Sequence, residues 1–228
     1  MTVAALLAFT VCVTPASALR PQSTPSADWD ANIAPLARAA EDLRDLKFRH
    51  AVPVEFLDDA AFRERITGDR TSTDSEEIGR SQAELRALGL VAAGFDLERS
   101  ASAFESTSAL AYYSPKSQRI IVRGQPAAGG LDVAHRVTLV HELTHALQDQ
   151  HFDLEALRRR SRRANTEAAF VAVVEGDASR IEGDYVVTLS SPARAAYEQT
   201  QGAELGDAQR LLREQLAAGR DERERAQR

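Results

Sequence analysis

The chain has 228 residues, 43% of them hydrophobic and 27% charged, with a formal net charge of −6. That length supports one large domain or two small ones with a buried core. The mildly acidic balance argues against nucleic acid as the main partner, and a lone cysteine, Cys12, leaves no disulfide framework within the chain.

The opening apolar run from Ala4 to Val13 is too short to span a bilayer, and it is followed by Pro15 and the small-x-small pattern Ala16-Ser17-Ala18. Residues 1–18 therefore read as a secretory signal peptide that carries Cys12 away with it, although no Lys or Arg precedes the run. A buried N-terminal helix is the other reading. Residues 19–30, around Pro21 and Pro25, form a polar linker, and 31–228 read as a single domain. No later segment looks long and apolar enough for stable membrane insertion.

From Ile33 to Leu46 apolar residues recur at helical spacing, through Leu36, Ala40 and Leu43. Ala51 to Leu57 alternates as a strand, with Pro53 favouring a sheet edge. A short helix is expected over Ala60–Ile66, a loop over Gly68–Ser75, and a helix from Ser75 towards Leu90. Ala109 to Val122 reads as a hairpin whose two β-prone runs flank Ser114-Pro115-Lys116-Ser117. Asp132 is a plausible N-cap for a helix that is apolar almost all round, through Val133, Val137, Leu139, Val140, Leu143 and Leu147. A helix without a polar stripe is a buried central one. A second long helix spans about Asn165 to Val187, stopped or kinked by Pro192, and Leu205 to Ala218 makes a last amphipathic helix. The arginine run Arg158 to Arg163 reads as a solvated loop between the two long helices, with weak contact to anionic polymers as its sharper alternative.

The chemistry-bearing stretch is His141-Glu142-Leu143-Thr144-His145 within the apolar helix. Imidazoles at i and i+4 leave one helical face a turn apart, so both reach one metal ion. Glu142, offset by roughly 100°, sits where it can act on water beside that ion without being a ligand. This is the HExxH pattern of zinc peptidases, in which the glutamate is the general base.

A catalytic zinc takes three protein ligands and keeps an open position, so a third is needed. His151 fits the spacing of the HExxHxxGxxH form, but that form needs glycine where Gln148 stands. On a continuous helix His151 would lie ~15 Å along the axis from His141. A histidine making an ordinary hydrogen bond at a helix end is the plainer reading. Glu175 interrupts the apolar run Phe170–Val174 and precedes Gly176; a carboxylate there is costly unless it meets a cation. A surface glutamate is its bland alternative. Glu167, beside the polar stretch Arg162–Thr166, reads as a solvated helix-start residue.

His141 to Phe152 together with Val174-Glu175-Gly176-Asp177-Ala178 resembles secreted bacterial metallopeptidases of the gluzincin type, distant relatives of thermolysin. The resemblance covers roughly Ala109 to Val187. It implies an α+β, mostly helical, zincin-like fold: a small sheet or hairpin packed on the buried HExxH helix, with a second helix supplying a ligand. It also implies Zn2+ held by His141, His145 and Glu175, with Glu142 as general base in peptide-bond hydrolysis and a polypeptide as substrate. The hairpin would lead into the strand bordering the substrate cleft. Tyr185 and Tyr113 are candidate oxyanion donors, and Asp149 and Asp177 candidate partners for the zinc imidazoles. Ser179 stands where thermolysin-like enzymes have the aspartate that orients a zinc histidine. Relatives continue past the glutamate helix, so the expected domain includes a form incomplete at its C-terminal end. The rival function is a non-catalytic extracellular binding or scaffold domain on the same fold.

Overall fold

A computed structural model describes residues 31–69, 72–92, 94–100, 109–128, 130–164 and 166–203. The expected signal peptide and linker, and the helix expected over Leu205–Ala218, lie outside the described residues. The fold is α+β and mostly helical, with one small sheet.

Helix α1 (Ala34–Arg44) has a proline in its first turn, where no backbone donor is missed, and buries Leu36, Ala37 and Ala40. Strand β1 (Val54–Leu57) follows. Pro53, just before it, costs nothing: its carbonyl still accepts from Ile120 N at 2.9 Å, and β1 is an edge strand as expected. Helix α2 (Asp59–Gly68) is capped by Asp58, whose side chain accepts from Ala61 N. Helix α3 (Ser72–Ala87) starts three residues before the expected Ser75, which shortens the loop.

The hairpin forms as read. Strands β2 (Ala111–Ser114) and β3 (Arg119–Arg123) pair antiparallel with Ser114 opposite Arg119. Gln118 closes the turn in the left-handed region at φ 52°. Because β1 joins β3 in parallel, the order is β1-β3-β2 and β3 is central. Its Ile120, Ile121 and Val122 are fully buried, since a central strand covered on both faces has no solvent side. Phe62 of α2 packs edge-on to Tyr112.

Helix α4 (Val133–Phe152) carries the HExxH stretch, starting from Asp132, whose side chain accepts from His135 N. Val137, Leu139, Val140, Leu143, Ala146 and Leu147 have no exposed surface. The helix lies among α1, β2 and a later helix, the central position its composition requires. Asp153 then adopts φ 52°, ending α4, and its side chain caps helix α5 (Leu154–Arg163) by accepting from Ala156 N.

Helix α5 corrects the loop expected for the arginine run. Arg158 and Arg162, one turn apart, both donate to Glu167 Oε1, at 2.9 and 2.6 Å, and Arg159 pairs with Glu155. Glu167 is therefore no solvated helix-start residue: its side chain is 11% exposed and pins the α5–α6 corner. Helix α6 (Glu167–Thr188) buries Ala178, Ile181 and Tyr185 on one stripe and packs along α4. It ends before Pro192, with Leu189 extended, and residues 191–203 are helical again. Among the described residues no helix is long and apolar enough to cross a membrane.

Candidate metal centre

Helix α4 brings His141 and His145 to one face, as the i, i+4 spacing requires, and their Nε2 atoms lie 3.0 Å apart. Glu175 enters from α6 with Oε2 at 3.4 Å from each of those nitrogens. Four ligands at zinc distances of ~2.0–2.1 Å in a tetrahedron stand about 3.3 Å from one another. The three donor atoms therefore form one face of such a tetrahedron. Two nitrogens and one carboxylate oxygen are also a donor set suited to a catalytic zinc. The glutamate side chain is 54% exposed against 17% and 11% for the two histidines, so the cluster is open to solvent on the α6 side.

Each imidazole is oriented through its other nitrogen. His141 Nδ1 donates to Glu182 Oε2 at 2.9 Å, and Glu182 Oε1 accepts from the Tyr197 hydroxyl at 2.8 Å. A carboxylate is an acceptor only, so one proton belongs on Nδ1, which leaves Nε2 as the atom that faces the centre and that a metal ion would take once its own proton is displaced. His145 Nδ1 lies 3.0 Å from Gln148 Oε1. With both second nitrogens engaged, the two Nε2 atoms and one carboxylate oxygen converge close enough to hold a divalent cation.

The electrostatics agree. Burial alone would depress the His141 pKa, but hydrogen bonds to Glu175 and Glu182 and the charge of Glu142 outweigh it and push it up to about 10. His145 is raised as well, burial being outweighed by Glu175 and the Glu142 charge. Hydrogen bonds from both imidazoles hold Glu175 far below the usual carboxylate range despite partial burial. These groups are arranged to concentrate positive charge at one place.

Glu142 is buried. Its Oε2 accepts from Tyr113 N at 2.7 Å, which ties it to edge strand β2. Burial raises its pKa, and the neighbouring imidazoles and the Tyr113 N–H only partly offset this. A carboxyl whose proton affinity moves upward is better matched to taking and returning a proton near neutrality.

No family model, characterised protein or solved structure matches the chain. The assignment of the site rests on its own chemistry.

The other sequence candidates fall elsewhere. His151 Nε2 bonds to Lys47 O at 2.8 Å, at the end of α4, and does not join the cluster. Tyr185 is buried in the core. The Tyr113 hydroxyl is spent on Asp149 at 2.8 Å, so its backbone N–H, not its phenol, is what reaches the site. Asp149 also accepts from Leu154 N, bracing the α4–α5 corner instead of an imidazole. Asp177 accepts from Gln148 Nε2, one bond removed from His145.

The cost of burying a charge does not account for Glu175. The apolar residues before it are not a buried face, since Val171 is 40% and Val173 72% exposed. Nor does Gly176 relieve any crowding, because a Cβ there would meet nothing within 4 Å. What selects Glu175 is the antiparallel pairing of α6 with α4. Sequence reasoning missed Glu182, Gln148 and Tyr197. The available signal for Glu182 was its position seven residues, two turns, after Glu175 on the same helical face.

Proposed function

We propose that this chain is a zinc-dependent peptidase on a zincin-like scaffold. The observation that carries the reading is the triangle of His141 Nε2, His145 Nε2 and Glu175 Oε2 at 3.0–3.4 Å, with the buried carboxylate of Glu142 on the next residue of the same helix. A zinc ion held there supplies an activated water and polarises a carbonyl. Glu142 accepts the proton of the attacking water and passes it to the departing amine, the role its position beside the triad and raised pKa support. Glu182 and Gln148 keep the two imidazoles turned towards the centre.

A polypeptide is the favoured substrate because β2 is an edge strand whose Tyr113 backbone N–H already meets Glu142. An extended chain adding to such an edge runs alongside the general base and aligns its carbonyls by backbone hydrogen bonds. The bond between Tyr113 N and Glu142 also favours a second reading, in which the carboxylate is a structural anchor for the strand and the centre binds metal without hydrolysis. The test is cleavage of casein and a quenched peptide by the one-to-one zinc protein, with and without a chelator. Chelator-sensitive cleavage that falls about 10²–10⁴-fold in Glu142→Gln, with zinc retained, supports catalysis. Stoichiometric zinc with no cleavage in either protein decides for the second reading.

A further inference from the structure

His145 is held differently from His141. Its Nδ1 faces not a carboxylate but the side-chain amide of Gln148, which can present either an acceptor or a donor. If the amide turned its nitrogen to His145, the imidazole would have to keep its proton on Nε2, the atom the centre uses. Something must therefore fix the sense of that amide. The neighbours of its other end do so: Gln148 Nε2 lies 2.9 Å from Asp177 Oδ2 and 3.1 Å from Val174 O, both acceptors only. Asp177 Oδ2 is in turn held by Arg44 Nε at 2.6 Å, from the last residue of α1.

We propose that Asp177 and Arg44 are positioning residues for the metal centre, acting through Gln148 to hold His145 in the tautomer that offers Nε2. This deepens the metal-binding reading of His141, His145 and Glu175 and rests on it. The chain of bonds runs Arg44, Asp177, Gln148, His145, and it makes helix α1, which supplies no ligand, part of the metal site. In this relay what matters at position 177 is an oxygen acceptor at the Oδ2 position. Asparagine can supply that oxygen with its amide and alanine cannot.

The experiment uses the full chain with zinc or cobalt(II). Metal dissociation constants come from chelator competition, and the ring nitrogens of His145 are followed by 15N spectra of the zinc-loaded protein. Asp177→Ala is expected to weaken zinc binding by about 10–100-fold, as the loss of an outer partner of a ligand does, whereas Asp177→Asn stays within about threefold of wild type. Arg44→Gln falls between them, and its cobalt absorption envelope broadens as His145 loses a single orientation. The wild-type 15N spectrum shows a protonated Nδ1 and a ligated Nε2, and Asp177→Ala loses that pattern. Zinc binding as tight in Asp177→Ala as in wild type overturns the relay. So do equal losses in Asp177→Ala and Asp177→Asn, which would assign Asp177 to the fold or to the local field. If Asp177→Ala does not fold, Arg44→Gln decides alone, and unchanged zinc affinity and cobalt spectrum in it are the negative result. A wild-type chain without zinc affinity ends the metal reading itself, together with the relay; wild-type affinity with indifferent variants ends only the relay.

Discussion

Helix α4 carries four of the chain's five histidines, and the two near its ends are spent differently from the two at its middle. His135 has Nδ1 against Asp132 Oδ2 at 2.8 Å and Nε2 against Arg123 O at 3.0 Å, so both nitrogens are consumed in holding the start of the helix to β3. His151 gives its Nε2 to Lys47 O and ties the far end to the loop after α1. His141 and His145 each give one nitrogen to a protein acceptor and aim the other at a shared point where Glu175 waits. The difference is in what the Nε2 atoms face, not in residue type: those of His141 and His145 face each other and a carboxylate, whereas those of His135 and His151 face backbone carbonyls. A cavity of about 260 Å³ beside His135, lined by Phe56, Arg123 and Leu131 among others, includes none of the three candidate ligands.

The sharpest way to break this contrast is to remove histidines one at a time. His141→Ala and His145→Ala are expected to abolish stoichiometric zinc binding, measured on the dialysed protein. His135→Ala and His151→Ala should keep it and lose stability by about 1 kcal/mol, the worth of an ordinary hydrogen bond. Zinc lost with His151 instead would move the site to the end of the helix.

A smaller effect concerns protons. The His141 pKa stands at about 10, so at neutral pH its imidazole carries a proton that a metal ion has to displace. Zinc affinity should therefore rise with pH up to about 10, by about tenfold per unit for each proton displaced. Calorimetry at pH 8 in two buffers of different ionisation enthalpy should register at least one proton released per zinc, and none if His141 Nε2 carries no proton there.

The smallest expected effect lies at the α5–α6 corner. Burial pulls the Glu167 pKa up, but hydrogen bonds from Arg158 and Arg162 outweigh it, leaving the pKa below the ordinary 4.5. The stabilisation is complete above that ordinary value and is lost as pH falls through the lower folded value. Glu167→Gln should cost about 1 kcal/mol in urea unfolding at pH 7 and nothing once wild-type Glu167 is itself protonated. Zinc affinity should change little, since glutamine keeps a side-chain oxygen that can hold the start of α6 to Arg158 and Arg162.

Much of this arrangement was readable from residues alone, for identifiable reasons. The Asp132 cap, the burial of α4 and the hairpin all depend on local patterns, of the kind short windows carry. Helix α5 was not readable because its arginines mask the periodicity: only Leu154 and Ser161 are buried, and its start comes from the backbone of Asp153. Glu182 was missed for another reason: its spacing from Glu175 gives its face but not its partner. Its role depends on how deeply α6 slides along α4, and one residue of slip between the helices would set a different side chain against His141. Glu175 was singled out by the cost of burying a charge, yet Val171 and Val173 beside it are exposed, so that premise does not hold.

Asp153 has a consequence for how the chain can vary in length. Its backbone halts α4 while its side chain launches α5, and Glu167 is clamped to that second helix. From there α6 works as a ruler. One residue inserted between Glu167 and Glu175 would swing the glutamate by roughly 100° and carry it ~1.5 Å along the axis. An insertion or a deletion within the ruler disarms the centre without touching a ligand.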